Sequence, residues 1–264
     1  MRRGQAGQAT VEWSALLLAL LFAFAALSVT VARTDSWGFG ERLVHGLVCA
    51  VSGGCEERDS LQLAYGDDVA AAVRSHAPNV VYEHSSAALP IDFRRCRETS
   101  CSDGSDAPRA IDQSRSGLPV TAFTRVVDRR DAGGDLYLQY WFYYPESFTA
   151  GIGRIFGDRW PGFHRDDWEG YQVRISPSGA VSARATAHGG YASPWSGSAG
   201  WYRVSGGSHA GQVAAGLPRG ERVTYASKLA LIPLERLTGT RRYSFAVAPP
   251  WLKDVYSIPE SGSS

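Results

Sequence analysis

The stretch Leu136-Tyr137-Leu138-Gln139-Tyr140-Trp141-Phe142-Tyr143-Tyr144 decides the reading of this chain. It carries no charge and is dense in aromatics, which suits a central β-strand whose side chains build a core. A carbohydrate- or lipid-facing aromatic surface is the lesser alternative. Short apolar or alternating runs recur on either side of it. Asn79 to Tyr82 and Val120 to Val127 precede it. Trp168 to Ile175 follows, ends at the turn Ser176-Pro177-Ser178-Gly179, and has Val181 to Ala187 as a hairpin partner. Later runs are Trp201 to Val204, Leu229 to Ile232 and Tyr243 to Val247. Many strands, few helical windows and no internal repeat give a mainly β class: a single β-sandwich or jelly roll. The 29 Gly and 13 Pro spread along the chain supply its turns.

Upstream, Asp67 to Ser75 reads as a helix with Val69, Ala70 and Val73 on one face, and Ala77-Pro78 breaks it. Glu41 to Ala50 is a second short helical window. These place a linker over residues 34–75, the sandwich over 76–256 and a polar tail over 257–264.

Residues Trp13 to Ala32 contain no charge. Twenty helical residues span about 30 Å, the thickness of a bilayer's hydrocarbon core. Arg2 and Arg3 precede this segment, while Arg33 and Asp35 behind it cancel. The positive-inside bias sets the N-terminus in the cytoplasm and the rest outside, as a single-pass protein with its membrane helix over residues 8–33. The alternative is a secretory signal cut after Thr30-Val31-Ala32. A net charge of +1, with no basic run longer than two residues, argues against nucleic acid as a partner.

In an exported domain, Cys49, Cys55, Cys96 and Cys101 read as two disulfides. The short spacings favour Cys49–Cys55 and Cys96–Cys101, with crossed pairing open. Each small loop contributes about 2 kcal/mol in the chain-entropy model. Neither pair has the two-residue spacing of a zinc knuckle.

The densest polar chemistry is His164-Arg165-Asp166-Asp167-Trp168-Glu169. On a strand, Asp167 and Glu169 share one face and Trp168 takes the other. With His164 folding back from the preceding turn, one imidazole and two carboxylates make an oxygen-rich site for calcium, magnesium or manganese. A salt-bridged turn, with Arg165 on Asp166 or Asp167, is the structural alternative. Glu146, His188 and His209 are further candidate ligands. The two histidines lie beside glycines that permit close backbone approach.

Two resemblances follow from these residues. Gly7-Gln8-Ala9-Thr10-Val11-Glu12, followed at once by the apolar run, resembles the class III leader of Flp-type pilins and TadE-like pseudopilins. That resemblance implies cleavage of a leader, residues 1–7, after Gly7, with Glu12 five residues into the mature chain as a carboxylate that a neighbouring subunit's free amine neutralises, and pilus or secretion components as partners; the alternative is that Glu12 sits in the headgroup region. Tyr140 to Pro145, His164 to Gly170, Gly207 to Ala210 and the opening Ala77-Pro78-Asn79-Val80-Val81-Tyr82 together resemble the vacuolar protein sorting-associated Vps-type β-sandwich family. The middle motif is also similar to the Gly-His-Arg-His-Asp-Trp-Glu heptad of necrosis- and ethylene-inducing peptide-like proteins. That family holds a divalent cation at the rim of a β-sandwich and binds sphingolipid headgroups. By motif position this implies His164, Asp167 and Glu169 here, and a glycan or lipid headgroup as ligand. Asp166 replaces the heptad's second His and Phe163 its leading Gly.

The expected function is that of a membrane-anchored, extracytoplasmic, non-catalytic binding protein with a divalent cation. The alternatives are a metal-dependent hydrolase using His164, Asp167, Glu169 and His209, and a structural pseudopilin-like subunit.

Overall fold

A computed structural model describes residues 59–83, 88–104, 109–147, 162–187, 190–191, 194–237, 243–253 and 258–259. They belong to one compact unit, Arg58–Ser264. The expectations for Gly7, Glu12, Trp13 to Ala32, the Glu41 to Ala50 helix, Cys49, Cys55 and His188 lie outside the described residues. Among the described residues no helix is long and apolar enough to cross a membrane.

The aromatic run is strand β3 (Leu136–Ser147), and it is buried on both faces. Burial on both faces explains the absence of polar alternation. Its neighbours are β2 (Thr121–Asp128) and β4 (His164–Ile175), both antiparallel to it. β4 pairs with β5 (Val181–Ala187) through the expected hairpin, and β5 with β6 (Gly190–Tyr191). The hairpin closes where Gly179, at φ 81°, donates to the Ser176 carbonyl, a backbone that an L side chain disfavours. The other edge is β10 (Ala230–Pro233), parallel to β2. The large sheet therefore runs β10-β2-β3-β4-β5-β6.

A second sheet has the order β8-β7-β1-β9, from β1 (Asn79–Tyr82), β7 (Trp201–Val204), β8 (Gly211–Val213) and β9 (Arg222–Thr224). β1 lies parallel to β7. The inward residues of both sheets form one core: Val80, Tyr82, Tyr202 and Val204 pack with Leu138, Tyr140, Phe142, Tyr144, Tyr171 and Val173. Phe142 and Tyr202 stack across the gap at 5.0 Å. The fold is a mainly β sandwich, as expected.

Helix α1 (Ser60–Tyr65) opens on a capping box in which Asp59 and Gln62 satisfy each other's backbone N–H groups. Helix α2 (Asp67–Ser75) buries Val69, Ala70 and Val73 against the core, as its spacing predicts. Tyr65 ties α1 to the large sheet by donating to the Thr124 carbonyl at 2.8 Å. The expected domain start at His76 thus falls inside the packed unit. Cys96 and Cys101 form the expected disulfide, beside the short helix α3 (Thr99–Ser102).

The outward face of the large sheet carries a second, aromatic core of Phe123, Trp141, Tyr143 and Trp168. Ile91 and Phe93 cover it, with Tyr243, Phe245 and Trp251 packed at its margin. Here the structure corrects one expectation: Tyr243 to Val247 is not a strand. Its Ala246 N–H donates to the Asp166 carboxylate at 2.8 Å instead of to a ladder partner. The segment earns its apolar residues by roofing the aromatic core.

Candidate functional site

The β3–β4 ladder sets Tyr144 opposite Asp167 and Phe142 opposite Glu169. Cross-strand partners share a face, so Asp167 and Glu169 follow Tyr171 and Val173 toward the inter-sheet core. Trp168 lies in the opposite core, as strand alternation predicts. Both carboxylates are buried, at 5% and 4% exposure.

β4 begins four residues earlier than the apolar run Trp168 to Ile175, at His164. Opposite Asp166 stands Pro145, which has no N–H for the ladder. Asp166 takes φ 60°, a left-handed value rare for a non-glycine residue. A regular strand sends positions i and i+3 to opposite faces. The left-handed residue between them brings His164 Nε2 to 3.9 Å from Asp167 Oδ1. His164 Nδ1 is buried without a hydrogen-bond partner among the described residues.

The opposing sheet supplies His209, from the β7–β8 connection. It too has positive φ, 53°, next to Gly207 at 79°. Ser205 N–H donates to the Ala210 carbonyl at 3.0 Å and closes this loop. His209 Nδ1 lies 2.8 Å from Asp167 Oδ2, and its ring stacks on Tyr144 at 3.9 Å with the planes 3° apart. The only two described non-glycine residues with positive φ therefore both border Asp167. Close packing reaches the loop's end as well: a Cβ on Gly211 would stand 2.4 Å from the Tyr202 ring.

Glu169 is held differently. The β4–β5 ladder stops at Tyr171–Ala185. Beyond it, Thr186 Oγ1 accepts from the Gly170 N–H at 2.6 Å and donates to Glu169 Oε2 at 2.5 Å. Burial, followed by the neighbouring Asp167 charge, holds the Glu169 carboxyl well above the usual carboxylate range. The Thr186 hydrogen bond and Lys253 pull the other way and do not prevail. Burial also drives the Tyr144 phenol far up, and its oxygen has no hydrogen-bond partner among the described residues.

Of the sequence candidates, the fold brings together His164, Asp167, Glu169 and His209. Glu146 stands opposite Arg165 in the ladder, with no hydrogen bond or ion pair to the other four among the described residues. Arg165 lines a cleft on the other face with Asp166, leaving the space between Asp167 and Glu169 to other groups. Tyr144 and Thr186 were not foreseen. Tyr144 reads as one more core aromatic, and the expected hairpin sets Thr186 beside β4 without marking it as a partner of Glu169. Among the described residues, no three His, Cys, Asp or Glu side chains already stand in metal-ligating geometry. No family model, no curated protein and no solved structure matches this chain.

Proposed function

We propose that this chain is a membrane-anchored, extracytoplasmic binding module whose His164, Asp167 and Glu169 take a divalent cation and present it to a glycan or lipid headgroup. One observation carries the reading. Two carboxylates lie buried on one face, and among the described residues no Arg or Lys is hydrogen-bonded to either. Two such charges in a low-dielectric site require compensation by a proton or by a cation. Burial and the Asp167 charge favour a proton on Glu169, Lys253 opposes it, and a divalent ion would offset the same carboxylate charge. Carboxylate oxygens with one imidazole suit calcium, magnesium or manganese. His164, whose Nε2 lies 3.9 Å from Asp167 Oδ1, adds a nitrogen donor.

The test is thermal unfolding of the full chain in nonionic detergent, with each of the three cations against a chelator. A cation at one hundred times its Kd adds about 2.7 kcal/mol to stability. The gain grows as pH rises above the ordinary Glu value of 4.5, because the Glu169 proton must leave first. Asp167→Asn abolishes it. A melting temperature that none of the three cations moves would sink the proposal.

The Asp167–His209 pair favours a second reading, a hydrolase, since a carboxylate-held imidazole is a general-base arrangement. His209 is 1% exposed and covered by Tyr144, which favours binding over turnover. The anchor and the pilus or secretion link rest on the Gly7–Glu12 spacing and the apolar run behind it. In cells with an active prepilin peptidase, substituting Gly7 removes a mobility shift; an unchanged pattern refutes that leader.

A further inference from the structure

A separate cleft of about 600 Å³ opens on the outer side of the large sheet, at the same end as the carboxylates. Four guanidinium groups line it: Arg94, Arg95, Arg97 and Arg165, with Pro145 and Tyr243. They are not equivalent. Arg94 is gripped by Asp92 through its Nε and Nη2. Arg97 is gripped by Asp166, at 2.7 and 2.8 Å, and also donates to the Ser244 carbonyl. Asp166 is itself fixed by the Tyr143 hydroxyl and the Ala246 N–H. Arg95 and Arg165 are exposed, and neither side chain has a hydrogen bond or ion pair among the described residues. Glu98 is the other carboxylate lining the cleft, and it is exposed.

The frame around these side chains is rigid. The Asp92 carbonyl accepts from the N–H groups of Arg95 and Cys96, and the Asp92 carboxylate from that of Arg94. The Cys96–Cys101 disulfide closes the segment just behind. Three of the four arginines thus come from the short segment 94–97 that leads into the disulfide loop, and the fourth from the start of β4. Gathering like charges around a concavity has an electrostatic cost that the fold itself does not require. Packing needs only the two that hold Asp92 and Asp166. Guanidiniums match the oxygens of a phosphate with paired N–H donors, and pre-fixed donors lose little entropy on binding.

We propose that this cleft binds a phosphate group, with Arg95 and Arg165 as the contributing charges and Arg97, held by Asp166, as their fixed neighbour. The site is independent of the carboxylates on the inner face, and a chelator does not affect it. The two sources of such a group are free phosphate and the phosphodiester of an anionic lipid headgroup.

The experiment is calorimetric titration of the full chain in nonionic detergent, at low salt and with a chelator throughout. Inorganic phosphate and glycerophosphoglycerol, the deacylated headgroup of an anionic phospholipid, are the two probes. At least one binds, and the affinity falls as salt rises. Tighter binding of glycerophosphoglycerol identifies the lipid headgroup; binding of inorganic phosphate alone identifies the free anion. Arg95→Gln combined with Arg165→Gln weakens binding by about tenfold or more. Arg130→Gln leaves it unchanged, since Arg130 pairs with Asp128 on the distant β2–β3 turn. Both substituted cleft residues are exposed, so the double variant folds. Absence of binding by both probes, or undiminished binding to the double variant, overturns the proposal. The chelator keeps this outcome separate from any failure of the cation reading.

Discussion

Asp166 and Asp167 are adjacent in the chain, equally buried, and opposite in what surrounds them. Asp166 faces outward and is fully answered: a guanidinium, a phenol and a backbone N–H all donate to it. Asp167 faces inward and meets two imidazoles, His209 at 2.8 Å and His164 at 3.9 Å, with a second carboxylate two residues on. A strand supplies both environments from consecutive residues because its side chains alternate. The outward carboxylate is structural, since its partners pin the segments that roof the aromatic core. The inward pair has few donors: His209 on Asp167 and Thr186 on Glu169.

Four substitutions break or sharpen that contrast. Trp168→Ala on the outward face removes a ring that packs within 5.0 Å of both Tyr143 and Trp251. It costs about 3–5 kcal/mol in denaturant unfolding. Asp166→Asn keeps the left-handed backbone accessible but strips Arg97 of its counter-charge. The loss is about 2–3 kcal/mol by the same measurement, below that of a fully buried pair because Arg97 is 31% exposed. Asp167→Asn costs only about 1 kcal/mol, the worth of one hydrogen bond to His209. A loss equal to that of Asp166→Asn would erase the distinction between the two faces.

Glu169→Gln has the opposite sign. The folded state holds the Glu169 carboxyl above its ordinary value of 4.5. Below that value the proton is bound in both folded and unfolded chains, and stability is unaffected. Above it the unfolded chain has released the proton while the folded one retains it. Stability therefore falls as pH rises, until the folded group ionises too. The neutral amide removes that slope. The melting temperatures of variant and parent coincide near about pH 4, and the variant melts higher near about pH 8. A variant that is less stable at both ends would mean that Glu169 is ionised and paired in the fold.

Much of the architecture was legible because it rests on local periodicity. The runs at Asn79, Leu136, Val181 and Trp201 are strands, and the 176–179 turn joins β4 to β5. Asp167 and Glu169 on one face, with Trp168 on the other, follow from the same period of two. The Cys96–Cys101 spacing named its own bridge. Other features depend on distant partners. Tyr243 to Val247 has a strand's alternation, yet its Ala246 N–H is used by Asp166, more than seventy positions away. The approach of His209 to Asp167 requires β7 to lie parallel to β1, a pairing that no local pattern announces. The reversal at Asp166, which returns His164 to the inner side, is a backbone choice made opposite a proline. The capping box at Asp59 and Gln62 was present in the sequence, but α1 has too few apolar positions to announce a packed helix.

The roof over the outward face has a consequence for the order in which the chain is made. Phe93 is synthesised before the large sheet, whereas Phe245 and Trp251 follow its last strand, β10. Until those late residues emerge, Trp168 and its aromatic neighbours on the completed sheet lack their full cover. A nascent chain stalled before residue 243 would display a sticky apolar wall to any other chain nearby. Prompt release, or a holding chaperone, is therefore a requirement written into the topology.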